Sequence, residues 1–197
     1  MLNRTETPNL KILDNALDNI QQQRLADCLR HSYWRLDWPV TSTPFSRPCW
    51  HFFIAGTNRN ACESCEDELS NHEQWSFLAE IWKNLKEIHL DNSKLVGVYA
   101  NGQTHGQDSP IHRDNTAGLP GHTAVLFCNE IWATSWGGEL VLFNDDKNDV
   151  IASILPKPGR VVIFNGHTPH RARSPSIDCD QLRTTIAFKT IDMDFTQ

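Results

Sequence analysis

The chain has 197 residues, 39% of them hydrophobic, enough for one domain with a full core. Its 18 basic and 24 acidic residues leave a formal net charge of −6, which excludes the basic excess of a general nucleic-acid binder. No apolar run reaches the ~18 residues of a membrane helix, the first residues lack an apolar signal core, and six scattered cysteines make no disulfide framework, so a soluble cytoplasmic protein without membrane partners is expected.

Taken in chain order, Ile20, Leu25, Cys28 and Leu29 trace a helical stripe over residues 19–31, with Asp18 placed to cap it. The segment from Trp34 to Glu66 is rich in aromatic residues and proline, including Trp38, Pro39, Pro44, Phe45, Trp50, Phe52 and Phe53. It reads either as strand and loop packed on the core or as an aromatic loop covering a substrate. Within it, Cys62-Glu63-Ser64-Cys65 is a lone C-x-x-C. Zinc would require a second pair or histidines at matching spacing, and the acids at 66–68 disfavour a reactive thiolate, so a loop before a helix is expected. From Asp67 to His89, Leu69, Trp75, Leu78, Ile81, Trp82, Leu85 and Ile88 recur at three- and four-residue steps, which predicts one helix.

After Asn92 the pattern changes to short β-branched and aromatic runs: Leu95–Tyr99, Ala124–Phe127, Glu139–Phe143, Arg160–Phe164 and Thr184–Phe188. Turn residues separate them, among them Asn101-Gly102, Gly137-Gly138, Pro158-Gly159 and Asn165-Gly166. Helices followed by many strands, with no helical pattern between the later ones, predict an α+β domain with helices supporting a sandwich or barrel.

The densest polar constellation is His112-Arg113-Asp114. On extended backbone, residues two apart point the same way, so His112 and Asp114 can converge, and His170 follows the Phe164 run. Two imidazoles and a carboxylate form the facial triad of non-haem Fe(II) sites, although an isolated H-x-D also describes an ordinary surface turn. Around it stand Tyr99, Gly137-Gly138-Glu139-Leu140, Pro156-Lys157-Pro158-Gly159 leading into Arg160–Phe164, Pro169-His170 with Pro175, and Arg183 opening the last run.

In this order the pieces resemble the Fe(II)- and 2-oxoglutarate-dependent dioxygenases, specifically their prolyl 4-hydroxylase-like branch, over roughly Leu95 to Lys189. The resemblance implies a double-stranded β-helix (jelly roll) core at 93–191, with 1–92 as helical support and substrate-loop region, in a single domain over 1–197. It implies Fe(II) on His112, Asp114 and His170, and 2-oxoglutarate on Arg183, whose planar fork suits a carboxylate, with Tyr99 lining the same pocket. It also implies O2 as oxidant, release of succinate and CO2, and hydroxylation of an unactivated C–H bond, because related halogenases lack the Asp114 carboxylate. The substrate would be a small molecule, an amino-acid derivative or a peptidyl side chain, chosen by loops near 36–66 and 115–121. The rivals are a zinc-dependent hydrolase on the same three residues and a non-catalytic jelly-roll binding module.

The chain departs from the family pattern in two places. The steps from His170 to Pro175 and to Arg183 are long, and the polar turn 176–181 can absorb the excess. His167 competes with His170, but it sits in the Asn165-Gly166 turn, whereas His170 opens a strand. Residues 157–189 hold six basic and two acidic residues, so an anionic guest is expected at this end. Arg171 and Arg173 either meet a substrate carboxylate or pair with surface acids. His105 and His122 read as loop histidines, and Trp132 and Trp136 as packing residues.

Overall fold

A computed structural model describes residues 10–38, 47–56, 62–116 and 118–194. In chain order these form β1 (Lys11–Leu13), α1 (Asn19–Arg30), β2 (Arg35–Trp38), β3 (Cys49–Ala55), α2 (Glu66–Ser70), α3 (Phe77–His89), β4 (Ser93–Gln103) and β5 (His122–Phe127). A 3-10 turn (Thr134–Trp136) precedes β6 (Leu140–Phe143), β7 (Val150–Ile154), β8 (Val161–Asn165), β9 (His170–Ala172) and β10 (Arg183–Asp192). Asp18 caps α1 as expected, accepting from Gln21 N at 2.7 Å while the Gln21 side chain accepts from Asp18 N.

The strands make a seven-stranded sheet, ordered β1-β8-β5-β10-β4-β3-β2, and a three-stranded sheet, β7-β6-β9. All the pairings are antiparallel, which makes the jelly roll that the motif order implies. Period-two alternation divides the large sheet cleanly. Val98, Ala100, Ala124, Leu126, Val161, Ile163, Ile186 and Phe188 face the helices and join Leu25, Leu78, Ile81, Trp82 and Leu85 in the main core. Phe127, Val162 and Phe164 face the other way and meet Leu140, Leu142 and Ile154 of the small sheet. The remaining residues on that inner face, from β3, β4, β5 and β10, line a pocket between the sheets.

Three expectations need correction. The helix predicted over 67–89 is broken into α2 and α3, because side chains in the break capture backbone groups. Asn71 Nδ2 donates to Asp67 O, and His72 Nδ1 accepts from the amides of Gln74 and Trp75. Ile20 and Ile88, counted in the apolar stripes, are 80% and 70% exposed, since both lie at helix ends beyond the packed face. Residues 11–13, 35–38 and 49–55 contribute three strands to the large sheet as well as supporting it. Of the aromatic segment, Pro39, Pro44 and Phe45 lie outside the described residues.

Candidate metal centre and co-substrate pocket

His112 and Asp114 come from the connection between β4 and β5, and His170 opens β9. One ligand atom from each lies within 4.8 Å of the others. His112 Nε2 is 3.7 Å from Asp114 Oδ1, and His170 Nε2 is 3.4 Å from Asp114 Oδ2. The second nitrogen of each ring is committed: His112 Nδ1 contacts Pro110 O at 3.0 Å and His170 Nδ1 contacts Thr168 O at 2.9 Å. A carbonyl can only accept, so both Nδ1 atoms carry a proton and each Nε2 faces Asp114, where it attracts the carboxylate when protonated and can ligate a metal ion once that proton is lost. Two neutral imidazoles and a carboxylate, arranged this way, fit Fe(II).

The Asp114 carboxyl is buried, which alone would raise its pKa. His170, His112, the Thr123 hydroxyl at 2.7 Å and Lys189 outweigh that burial and hold it at about 2. The carboxylate is therefore ionised throughout the neutral range. Lys189, on the inner face of β10, also donates to the Asp114 carbonyl. The backbone around these residues is stapled from both sides. His112 exchanges two backbone hydrogen bonds with His170, a single bridge that ties the start of the H-x-D segment to β9. Asp114 N and Asn115 N both donate to Gly166 O, and a Cβ on Gly166 would lie 2.5 Å from the Asn115 side chain. The Asn165-Gly166 turn thus has no room for any other residue beneath the H-x-D segment.

At the far end of the pocket Arg183 is 2% exposed. Its Nε donates to Gly138 O at 2.6 Å, its Nη1 donates to Gln103 Oε1 at 3.0 Å, and its guanidinium lies over the Phe127 ring. Burial lowers its pKa to about 10, which leaves it charged at neutral pH. Tyr99, Asn101 and Gln103 of β4 and Thr185 and Ala187 of β10 line the path from Arg183 toward the three candidate ligands. The Tyr99 ring stacks on Trp38 at 5.4 Å, so Trp38 forms the side wall.

Gly138 explains the Gly-Gly pair. Its φ is +77°, and an added Cβ would lie 3.0 Å from Trp132 and 3.1 Å from Arg183 Cδ. Gly138→Ala is expected to displace Arg183 and weaken 2-oxoglutarate binding by about 10-fold, while the metal affinity stays at the wild-type value. Calorimetric titration of the metal and then of the 2-oxo acid separates the two effects.

The structure brings His112, Asp114, His170, Tyr99 and Arg183 into one pocket. His167 is outside the cluster, its carbonyl accepting from Arg113. Arg171 and Arg173 alternate with the pocket-lining His170 and Ala172 and pair with Asp108, at 2.5 and 3.6 Å. This is the surface-acid pairing. His105 bonds Pro175 O, and Trp132 and Trp136 pack edge to face. Cys65 sits at the start of α2, its thiol pushed up to about 12 by burial and by Glu68 and Glu66, and so is unreactive. Thr123, Lys189, Asn115 and Gln103 belong to no motif of the sequence. Counting in twos from Arg183 along β10 reaches Lys189, which is the one signal that pointed inward.

Residues 96–188, from β4 to β10, match the family model of the 2OG-Fe(II) oxygenase superfamily. The chain is accordingly a 2-oxoglutarate-dependent non-haem iron dioxygenase, with Fe(II), 2-oxoglutarate and O2 as cofactors. In fold it is similar to prolyl hydroxylases, the branch that the motif order points to. A Trichoplax adhaerens prolyl hydroxylase solved with a hypoxia inducible factor peptide fragment is 18% identical at a TM-score of 0.67, over 94% of this chain and 84% of that one. A Pseudomonas putida prolyl-4-hydroxylase is 16% identical at 0.61, over 93% and 92%. A viral collagen prolyl hydroxylase from Paramecium Bursaria Chlorella virus-1, solved with 2-oxoglutarate, is 14% identical at 0.61, over 93% and 96%. No match is found among curated protein sequences. The zinc-hydrolase and binding-module rivals are set aside by this assignment. Among the described residues no helix is long and apolar enough to cross a membrane.

Proposed function

We propose that the protein hydroxylates an unactivated C–H bond of an amino-acid-derived substrate, free or peptidyl, and converts 2-oxoglutarate to succinate and CO2. The observation that carries this reading is the placement of a buried, charged Arg183 at one end of a pocket whose other end is the His112–Asp114–His170 cluster. In this reading the three residues hold Fe(II), Arg183 takes the distal carboxylate of 2-oxoglutarate, and Tyr99 lines the co-substrate beside Trp38. Fe(II) and 2-oxoglutarate together supply the activation of O2.

The chain contributes geometry and electrostatics. Pro110 O and Thr168 O fix the two imidazole tautomers, so no ring has to reorient for its Nε2 to ligate. Asp114 stays anionic in a dry setting, which gives the metal one protein charge and leaves the rest to the co-substrate. Arg183 rejects an uncharged tail, since a buried guanidinium gains most from a two-pronged carboxylate. The amino-acid-derived substrate is supported by the prolyl hydroxylases among the similar folds.

The test is succinate release with Fe(II), 2-oxoglutarate and a panel of prolyl peptides, free amino acids and their acylated derivatives, with product mass read in parallel. One panel member is expected to raise succinate release and gain one oxygen atom in equal amounts. Release that no member stimulates, with no member gaining oxygen, would refute the substrate class.

A further inference from the structure

Arg183 heads the fully buried side chains by size, and both of its hydrogen-bond partners are neutral. Among the described residues no carboxylate lies within ion-pair distance of it, and Glu139 acts on its charge only at longer range. One of those partners, Gln103, is itself 2% exposed and its amide is fully engaged. Its Nε2 donates to Gln107 O at 2.6 Å and to Ala172 O at 3.3 Å. Both amide hydrogens are therefore held by carbonyls, which leaves Oε1 no direction but toward Arg183 Nη1, at 3.0 Å. Gln107 is locked in turn: its Oε1 accepts from Thr104 N and Thr104 Oγ1, and its Nε2 donates to Pro48 O.

We infer that Gln103 is the positioning residue of the co-substrate pocket: it aims the Arg183 guanidinium, leaves its charge unneutralised, and ties it to β9, the strand that opens with His170. This rests on Arg183 being the 2-oxoglutarate anchor. Two consequences follow from the geometry. A neutral acceptor satisfies one N–H without supplying a counter-charge, so the buried cation still requires an anion, and a dicarboxylic 2-oxo acid brings one. A carboxylate at the same place would pair with Arg183 permanently and repel the distal carboxylate of the co-substrate. The bond to Ala172 O, two residues beyond His170, also sets the span between anchor and metal ligands, which one co-substrate molecule has to bridge.

The experiment compares Gln103→Glu and Gln103→Met, two side chains of nearly the same length. Neither can donate as the amide does to Gln107 O and Ala172 O, so a role confined to the fold would move the two variants together. The charge facing Arg183 is the main difference between them, and the melting temperature recorded alongside reads the added cost of setting a carboxylate against the two carbonyls. Mn(II)-loaded protein is titrated calorimetrically with 2-oxoglutarate and with 2-oxopentanoate, which lacks the distal carboxylate; Mn(II) affinity and the melting temperature are recorded alongside. The wild type is expected to prefer 2-oxoglutarate by about 100-fold, Gln103→Met by about 10-fold, and Gln103→Glu not at all, with Mn(II) affinity near wild type in both. Equal preference in Gln103→Glu and Gln103→Met, or a wild-type preference in either, overturns the inference. Should Gln103→Glu fail to fold, Gln103→Met alone decides between a tenfold loss of preference and none. Arg183→Met is run beside them. If it keeps the wild-type preference, the anchor reading itself is wrong; if it loses the preference while both Gln103 variants keep it, only the role of Gln103 is wrong.

Discussion

Replacing Asp114, His112 or His170 by Ala is expected to abolish Fe(II) binding and, with it, the visible charge-transfer band that forms on anaerobic addition of Fe(II) and 2-oxoglutarate. The three donor atoms lie within 4.8 Å of one another, and each variant leaves only two. Affinity should fall by more than the ~10- to 100-fold that follows loss of an outer-shell partner. Thr123→Val, which removes only the hydroxyl bonded to Asp114 Oδ2, sets that smaller scale. His167→Ala should leave the band intact, since only its backbone carbonyl serves this region. A band that survives His170→Ala and disappears in His167→Ala would refute the assignment. The same carboxyl predicts a pH effect in the metal-free protein. Its pKa is lowered from an ordinary 3.8 to about 2, so its contribution is present above about pH 4 and lost as pH falls toward 2. That contribution is about 2 kcal/mol, and Asp114→Asn should flatten the acid limb of the stability curve accordingly.

Arg183→Met is expected to weaken 2-oxoglutarate binding by about 100-fold while leaving the metal affinity at the wild-type value. The side chain is 2% exposed at the far end of the pocket, and none of its hydrogen bonds reaches a metal-binding residue. Arg183→Lys should recover only part of the affinity. An ammonium keeps the charge but not the planar fork that meets Gly138 O, Gln103 Oε1 and a carboxylate from fixed directions. The check is the concentration of 2-oxoglutarate at half-maximal band intensity. Equal midpoints for wild type and Arg183→Met would remove Arg183 from the co-substrate site.

Thr123 and Lys189, neither bearing a motif of its own, do for Asp114 what Gln103 does for Arg183. Each sits on the inward face of a strand of the large sheet; Thr123 bonds Asp114 across a nine-residue connection, while Lys189 and Gln103 bond residues 75 and 80 positions away. Substitutions there should therefore change metal or co-substrate affinity before they change the fold.

Much of the site can be read from residue types and their spacing alone. The H-x-D step, a histidine after the Phe164 run, and Arg183 opening the last strand were readable because their chemistry is local: residue type, spacing and a two-residue strand period suffice. The strands β4, β5, β6, β8 and β10 were readable for the same reason, being apolar and β-branched. Tertiary structure decided what depends on distant partners. The three-residue strands β1 and β9 carry almost no pattern of their own and exist because β8 and β6 offer them hydrogen bonds. The break between α2 and α3 was hidden because Trp75 remains buried in register with the helical stripe while Asn71 and His72 divert the backbone. Arg171 and Arg173 lie in the same basic stretch as Arg183, and the sequence alone leaves open whether they meet a substrate carboxylate or a surface acid. Asp108 outside β9 gives both of them an ion-pair partner, whereas Arg183 stands on the inward face of β10. Charge is written in the sequence, but the dielectric around a charge and the partner it meets are properties of the folded sheet.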